Sequence, residues 1–287
     1  MFIHLHTHSH FSFGLGVSSP EVLTRAAAER GVAALACTDT NGVYGAVEFQ
    51  RACDAAGVRP ILGAHLVAED QEAVALAVDE SGWGALCRTI TAIHWRNRNK
   101  LPRCPPAPLS HLLANDRDGL ILLSRNIDFL EQTLRLSGPE NLYAELRPGR
   151  RRHETLATAR RLRLPAVATN GVVAANAEDW SRHRLLRAIA LNTTLSALPV
   201  EEIWPHGAWL CPADELARHF PDCPEAIRAA MEIAERCAYR IPIGRRTVPP
   251  RIADTGSAFA QLRELTLQGA RHRYPEITPE LTDRLDL

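Results

Sequence analysis

The sequence lacks an excess of charge of either sign. Its 287 residues include 33 Lys and Arg and 33 Asp and Glu, so the formal net charge is zero. The positive charge is almost entirely arginine, because Lys100 is the only lysine. A dedicated nucleic-acid-binding protein is usually basic overall. We therefore expect any contact with DNA to be local, or to be made by another part of a larger assembly.

Paired cysteines and long apolar runs are also missing. The seven cysteines occur singly, with no C-x-x-C pair, and their number is odd. This pattern argues against a zinc ribbon or a disulfide framework and is typical of a reducing compartment. Neither a membrane-length apolar stretch nor a basic and apolar leader is visible. We therefore expect a cytoplasmic protein with no membrane partner.

Histidine is concentrated at the start of the chain, in MFIHLHTHSHFS. His4, His6, His8 and His10 alternate with other residues, and in an extended strand such side chains share one face at a spacing of about 7 Å. Imidazole is the commonest metal-ligand side chain, so this spacing predicts a metal site. The alternatives are a solvated strand face and an expression tag. The interleaved apolar residues argue against a tag.

Apolar runs of strand length alternate with amphipathic helical patterns along the next part of the chain. This alternation is typical of a parallel sheet covered by helices. Seven such units predict an α/β fold with a closed or nearly closed barrel over residues 1–200, and an open doubly wound sheet is the alternative. Strand patterns fade after about residue 203, so we expect a helical appendix over residues 201–287. The predicted strands lie around Ile3, Ala34, Ile61, Val74, Leu120, Tyr143 and Ala166.

Functional residues of such barrels lie where the strands end. Applied to the predicted strands, this rule selects a set rich in groups that bind metals and phosphates: His6, His8, Asp39, Thr40, His65, Asp79, Glu80, Ser124, Asn126, Glu145, Arg147, Thr169 and Asn170. For Glu145, a role at a metal and a structural ion pair with a neighbouring arginine both stay open.

Several of these residues belong to motifs with a family resemblance. HLHTHSHFSF, GVSSPEVL, ALACTDTNGVYGAVEF, GVRPILGAHL and LPAVATN follow one another in the order seen in the PHP (polymerase and histidinol phosphatase) domain. The chain resembles most the PHP domain that opens bacterial C-family DNA polymerases, the polymerase III alpha subunits. The segments SHFSF and SSPE are similar to those of the error-prone branch of this family. LCPADELARHFPDCPEAIRAAMEIAERC resembles the segment that leads toward the polymerase body.

The resemblance implies a distorted (β/α)7 barrel, similar to a TIM barrel, whose strand ends hold up to three divalent metals. Active members cleave phosphoesters, and in some polymerases the reaction is a 3′–5′ exonuclease. Clustered metals lower the pKa of bound water, hold the phosphate and neutralise charge on the leaving oxygen. The resemblance also implies a role in DNA replication or error-prone repair.

Most ligand positions implied by the resemblance carry other residue types. His6 and His8 fall on the first metal pair of the family. Elsewhere the expected acidic or histidine ligands are replaced by Leu15, by Thr40 in a T-D-H motif, by His65 in a G-x-E motif, by Glu72, by Asn126, and by Gly171 and Val173 in an N-D-x-H motif. The carboxylates implied at positions 15, 65 and 171, which would hold several cations together, are absent.

We therefore expect a degenerate structural module with no catalytic residue of its own. His6, His8 and His65 could still hold a single zinc or manganese ion, since three nitrogen ligands and a water suit tetrahedral zinc. An empty site is the other expectation. The alternative function is a metal-dependent phosphoesterase or 3′–5′ exonuclease with a rearranged site for one metal.

An arginine cluster lies after the predicted strand at Tyr143. Arg147, Arg150 and Arg151 are candidates for contacts with phosphate or DNA, and a solvated helix face is the alternative. The catalytic carboxylates of the resembling polymerases lie downstream of residue 287. We therefore expect a polymerase body as partner, in the same chain or as a separate chain, with DNA bound through that body. A docking surface for replication or repair proteins is a third hypothesis.

Overall fold

The computed structural model describes residues 2–96, 107–149, 151–244 and 257–286. The chain forms two compact units, Met1–Ile241 and Pro242–Leu287. The domain boundary near residue 200 stays a prediction, and residues 201–241 lie in the first unit. In the described part of the chain, no helix is both long enough and apolar enough to span a membrane.

The first unit is an α/β fold around one sheet of six strands that neighbour one another in sequence order. Each of the six lies at a position predicted from the sequence. Their bounds are β1 Ala34–Thr40, β2 Arg59–Ala68, β3 Gln71–Ala77, β4 Leu120–Ser124, β5 Leu142–Leu146 and β6 Ala166–Ala168.

The expectation of an all-parallel sheet is wrong at β3. This strand runs antiparallel to both β2 and β4, while the other neighbouring pairs are parallel. The reason is the connection between β2 and β3, which consists of Glu69 and Asp70 alone. So short a connection can only reverse the chain, because a parallel crossover needs a dozen residues or more.

The remaining predicted strand, around Ile3, is the first along the chain. It is an extended segment and not a regular strand of the sheet. On one side, the N–H of Ala36 donates to the carbonyl of His4 at 3.0 Å and the N–H of Thr38 donates to Thr7 at 2.8 Å. On the other side, Val172 exchanges two hydrogen bonds of 2.8 Å with His6 and His8. The segment therefore lies between β1 and the residues that follow β6.

Helices cover the sheet, and their own apolar side chains pack against it. The first unit contains α1 Pro20–Glu29, α2 Ala46–Ala56, α3 Glu80–Arg96, α4 Leu109–Leu112, α5 Ile127–Ser137, α6 Arg152–Leu162, α7 Trp180–Ala190, α8 Ala213–Ala217 and α9 Pro224–Arg236. The second unit contains α10 Ala258–Arg273 and α11 Pro279–Leu285.

Residues 216–237 contribute to the same core as the sheet. Phe220, Ala230 and Ile233 are buried in one cluster with Ile61 of β2 and Val167 of β6. The guanidinium of Arg59 donates to the carbonyls of Ala234 at 2.6 Å and Cys237 at 3.1 Å, and so binds the last carbonyls of α9. The end of the first unit is thus packed against the sheet.

Candidate metal centre

Three imidazoles meet at one edge of the sheet. Each of His6, His8 and His65 offers a nitrogen, and these atoms lie within 4.8 Å of one another. The first two belong to the extended N-terminal segment. His65 belongs to β2, where it pairs in register with Thr40 at the end of β1. All three are buried. The structure thus brings the predicted ligands together, and the binding of a metal stays a prediction.

The other two histidines of the N-terminal motif lie away from this centre. His4 is buried with its Nε2 3.1 Å from the carbonyl oxygen of Cys211, and burial lowers the pKa of its imidazole to about 4. His10 is exposed. The N–H of Ser12 donates to the carbonyl of Ser9, so the chain turns there and the alternation ends.

The imidazole of His6 is oriented by a buried carboxylate. Its Nδ1 lies 2.6 Å from Oε1 of Glu145, which also accepts the hydroxyl of Thr169 at 2.6 Å. Burial alone would raise the pKa of Glu145, but the charge of Arg147 and the contact with His6 hold it well below its usual range. Glu145 is therefore ionised and only accepts. The proton of His6 is thus assigned to Nδ1, and its Nε2 carries a lone pair.

The imidazole of His8 is oriented by the hydroxyl of Ser12, which donates its own proton to Asp39. Ser12 Oγ donates to Asp39 Oδ1 at 2.6 Å and accepts the N–H of Thr40 at 3.1 Å. Its remaining lone pair faces Nδ1 of His8 at 2.9 Å. The proton of His8 is therefore assigned to Nδ1, and Nε2 carries a lone pair, as in His6.

The two lone pairs face each other across a short gap. The Nε2 atoms of His6 and His8 are 3.0 Å apart. Burial lowers the pKa of His6 to about 4 and places that of His8 well below its usual value, so both rings are neutral near pH 7. Two facing lone pairs repel unless a cation lies between them. A histidine that donates its other N–H to a carboxylate is also the usual arrangement of a metal ligand. The donor set thus fits one cation.

His65 completes the group with a nitrogen that has no partner. Its Nε2 lies 3.3 Å from Oε2 of Glu72. Its buried Nδ1 has no hydrogen-bond partner among the described residues. Burial would raise the pKa of Glu72, but His65 and two arginines hold it well below its usual range. Glu72 comes from the start of β3, and it reaches this edge because β3 runs antiparallel.

Other residues selected by the strand-end rule have structural roles. Asp79 accepts the N–H of Gly82 at 2.9 Å near the start of α3, and the reversed direction of β3 places it at the opposite edge of the sheet. Asn126 caps α5 by accepting the N–H of Phe129 at 2.8 Å. Asp39 accepts the N–H and the hydroxyl of Ser9, at 2.8 and 2.7 Å. Each of these polar groups is satisfied without a metal.

A tryptophan that sequence reasoning missed covers the centre. Trp204 packs edge-on against His6 and His8, with ring centroids 5.3 and 5.0 Å apart. The guanidinium carbon of Arg147 lies 4.7 Å from the centroid of the indole ring. We call residues 199–209 the cover loop. No local motif in the sequence marks Trp204 as part of the site.

The position of Trp204 depends on the glycine of the N-D-x-H-like motif. Gly171 has a left-handed backbone with φ 62°, and a Cβ there would lie 2.5 Å from Cζ3 of Trp204. Leu15 and Val173, where the resemblance implies an acid and a histidine, are buried together with Ala208 in a small apolar cluster. Apolar packing therefore occupies positions where the resemblance implies metal ligands.

The predicted phosphate contacts have different environments. Arg147 is buried, with Nη2 3.6 Å from Oε1 of Glu72 and Nε 3.7 Å from Oε2 of Glu145. Arg151 is exposed at the start of α6. Arg150 lies outside the described residues. The two interpretations of Glu145, a structural ion pair and a support for a metal ligand, are compatible, because Glu145 contacts both Arg147 and His6.

Comparisons with known proteins show similarity to bacterial DNA polymerases over almost the whole chain. The chain is 34% identical to an error-prone DNA polymerase of Symbiobacterium thermophilum, over 99% of this chain and 30% of that protein. It is 27% identical to the DNA polymerase III subunit alpha of Bacillus subtilis, over 95% of this chain and 26% of that protein. The chain thus spans less than a third of the length of these relatives.

A solved structure and a family model also match. An amidohydrolase from Chromobacterium violaceum with bound sulfate is 16% identical, covers 76% of this chain and 97% of its own, and has a TM-score of 0.44. The model of the PHP domain matches residues 4–160, which are more than half of the chain and include His6, His8, His65 and Glu145. The chain therefore belongs to the PHP domain family.

Proposed function

We propose that this chain is the N-terminal PHP module of a bacterial DNA polymerase of the polymerase III alpha type. It acts in the cytoplasm, in DNA replication or error-prone repair, as a structural module with its metal centre largely lost. Its partner is a polymerase body in the same chain or in a separate chain, and DNA is bound through that body. The similarity of almost the whole chain to such polymerases supports this proposal.

The proposed module is a distorted (β/α)7 barrel followed by a helical appendix. The extended segment around Ile3 hydrogen-bonds to β1 on one side and to Val172 on the other. In the proposed barrel this segment takes the place of the seventh strand. The proposed appendix, residues 201–287, includes the helices α8 to α11.

The observation that carries the structural role is the cover over His6 and His8. A catalytic zinc site keeps an open coordination position for water and substrate. Here the indole of Trp204 contacts His6 and His8, and Arg147 lies over the indole. His6 and His8 are no more than 1% exposed. A phosphoester has no approach to these imidazoles in this arrangement.

The three histidines hold at most one divalent cation, zinc or manganese. His6, His8 and His65 would supply nitrogen ligands, and Glu145 would support His6. A bound cation would supply positive charge between the facing lone pairs. It would also link the N-terminal segment to β2 and so add to folding stability, since metal binding to a folded site stabilises the fold.

Elemental analysis tests this proposal directly. The chain is purified after growth with zinc and manganese, and we expect at most one equivalent of metal. Any bound metal is lost in His8→Ala and kept in the matched control His10→Ala, whose side chain is exposed. With added manganese, the purified chain releases no nucleotides from DNA 3′ ends. Two or more ions per chain, or metal-dependent release that His8→Ala abolishes, would contradict the proposal.

The second candidate function is a phosphoesterase or 3′–5′ exonuclease with one metal. The facing Nε2 atoms of His6 and His8 favour it, because this arrangement accommodates a cation. It predicts zinc-dependent hydrolysis of bis(p-nitrophenyl) phosphate that increases in Trp204→Ala, where the cover is removed. No hydrolysis by either the wild type or Trp204→Ala leaves the structural role as the function.

A further inference from the structure

A groove lined by four arginines lies beside the three-histidine centre. Its wall includes Arg125, Arg147, Arg151 and Arg152. Glu145 and Glu201 are the acidic residues that line it. We call this feature the arginine groove. Arg125 and Arg152 are ion-paired with Glu72 and Asp222, so Arg147 and Arg151 supply the positive charge that remains available to an anionic ligand.

Arg147 is a buried cation with incomplete hydrogen bonding. Its side chain is 8% exposed, and it lines the groove. Its two nearest carboxylate contacts, at 3.6 and 3.7 Å, are longer than hydrogen bonds. Its buried Nε has no hydrogen-bond partner among the described residues. A desolvated guanidinium without a full set of hydrogen bonds is unfavourable, so an acceptor placed against it in the groove is favoured.

The carboxylates around Arg147 form no hydrogen bond with its guanidinium among the described residues. Glu145 uses Oε1 for His6 and Thr169, and its Oε2 lies 3.7 Å from Nε of Arg147. Glu72 accepts from Arg125 at 3.1 Å and contacts His65. Neither is placed to fill the fork of the guanidinium. A planar guanidinium binds phosphate oxygens in a bidentate manner, with charge-assisted hydrogen bonds.

The start of α6 faces the same groove. Arg151 is the N-cap residue of this helix, and no side chain caps its first turn. Arg151, Arg152 and Thr155 of this turn line the groove. The N–H groups and the dipole at a helix N-terminus favour anions. Arg152 is paired with Asp222, whereas Arg151 has no ion pair within the described part of the chain.

We propose that the arginine groove binds a phosphate dianion. Arg147 and Arg125 contact it from the side of the sheet, and Arg151 contacts it from the start of α6. The ligand is free phosphate or the terminal phosphate of a nucleic acid. This site is separate from the three histidines, and the proposal does not depend on the function proposed above.

Calorimetric titration of the 287-residue chain with inorganic phosphate tests the proposal. A chelator removes metals, and chloride keeps the ionic strength constant. We expect one site, about tenfold weaker binding in Arg151→Gln, and unchanged binding in Arg160→Gln. Both residues are exposed arginines of the same helical region, but Arg160 does not line the groove. No heat of binding at millimolar phosphate, or an equal loss in both variants, would overturn the proposal.

A second variant checks that the effect is local to the groove. Glu201→Gln removes a carboxylate that lines it, so we expect phosphate binding to tighten by about threefold. Glu178→Gln removes an exposed carboxylate that is not part of the lining and leaves binding unchanged. Weaker binding in Glu201→Gln would contradict the assigned location.

A competition experiment identifies the source of the phosphate. A short oligonucleotide with a 5′ phosphate is added to the phosphate titration, next to the same oligonucleotide without it. Competition by the phosphorylated strand alone assigns the site to a terminal phosphate. Absence of competition assigns it to free phosphate. Equal competition by both strands would show binding of the phosphodiester backbone and would overturn the proposal.

Discussion

At the scale of single residues, the site shows how a glycine determines where a neighbouring aromatic ring packs. Gly171 lacks the side chain that the family motif implies, and its left-handed backbone with φ 62° suits glycine. The absence of a Cβ leaves room for the indole of Trp204, which covers His6 and His8. The cover is therefore a packing consequence of this glycine.

Gly171→Ala should destabilise the chain for two reasons. The left-handed backbone costs an L-residue about 1–2 kcal/mol. The new Cβ would also lie 2.5 Å from Trp204 and 2.9 Å from Cδ of Arg147, and such overpacking costs about 1–3 kcal/mol more. We expect a loss of about 2–5 kcal/mol in the free energy of unfolding, measured by urea denaturation.

Gly31→Ala is the matched control for this prediction. Gly31 has a similar φ of 66°, and a Cβ there meets nothing within 4 Å. It reports the backbone cost alone, so its loss should be smaller than that of Gly171→Ala. The double variant Gly171→Ala/Trp204→Ala should lose less than the sum of the single losses. Equal losses for the two glycine variants would show that Trp204 is not tightly packed against residue 171.

Some residues of the centre can be predicted from nearby sequence, and others depend on contacts that form only in the folded chain. His6 and His8 follow from a two-residue alternation, and His65 follows from its place near the end of an apolar strand. Trp204 could not be predicted, because its contacts join it to residues near the chain start through tertiary packing alone. The roles of Glu145 and Ser12 in orienting the imidazoles likewise require the folded geometry.

At the scale of elements, the cover loop is held by α7. Nδ1–H of His183 donates to the carbonyl of Leu15 at 2.8 Å, and its Nε2 accepts the N–H of Trp204 at 3.1 Å. The indole of Trp180 donates to the carbonyl of Trp204 at 3.2 Å. The main-chain N–H and carbonyl of Trp204 are thus both bound by side chains of α7.

His183 should make the stability of the chain sensitive to mild acid. Burial holds its pKa below the ordinary value of 6.5, so the unfolded chain takes up the proton at a higher pH than the folded chain. This contribution is full above pH 6.5 and is lost as the pH falls below it toward the folded pKa. Urea midpoints between about pH 7.5 and 5.5 should therefore decrease.

His183→Gln isolates this contribution, because glutamine can accept and donate hydrogen bonds but does not titrate in this range. The variant should show a smaller decrease of the urea midpoint than the wild type over the same pH interval. Identical decreases would show that other groups cause the acid sensitivity. The comparison between the two proteins removes the shared effect of His4, His6 and His8, whose pKa values are also lowered by burial.

The elements also show where sequence patterns are reliable. All six strands were predicted as short apolar runs, which are local signals. The direction of β3 was predicted wrongly, because the turn at Glu69 and Asp70 contains neither glycine nor asparagine and does not mark a hairpin. Glu69 adopts a left-handed φ of 51° in this turn. Glutamate is not a residue type that predicts this conformation, which favours glycine and asparagine.

At the scale of the whole molecule, the end of the first unit is part of its core. Phe220, Ala230 and Ile233 are at most 1% exposed and pack with residues of the sheet. Ile241 exchanges two main-chain to side-chain hydrogen bonds with Gln50, at 2.8 and 2.9 Å. The helical pattern after residue 203 was predicted from sequence, but its packing against the sheet depends on contacts between distant positions.

Truncation distinguishes the predicted boundary from the compact unit. We expect a fragment of residues 1–244 to unfold cooperatively, with an intact near-UV circular dichroism signal. A fragment of residues 1–200 should not, because it loses several buried side chains worth about 1.5–3 kcal/mol each, against a total stability of about 5–15 kcal/mol. Cooperative unfolding of the shorter fragment would support a domain that ends near residue 200.

The contact between residue 171 and the cover loop has an evolutionary consequence. An acidic side chain at position 171 needs the space that the indole of Trp204 fills. We therefore expect substitutions at these two positions to be epistatic, because a larger side chain at residue 171 fits only where residue 204 is smaller. The substitution of Trp204 by a smaller residue would have to come first, so the order of the two steps is constrained.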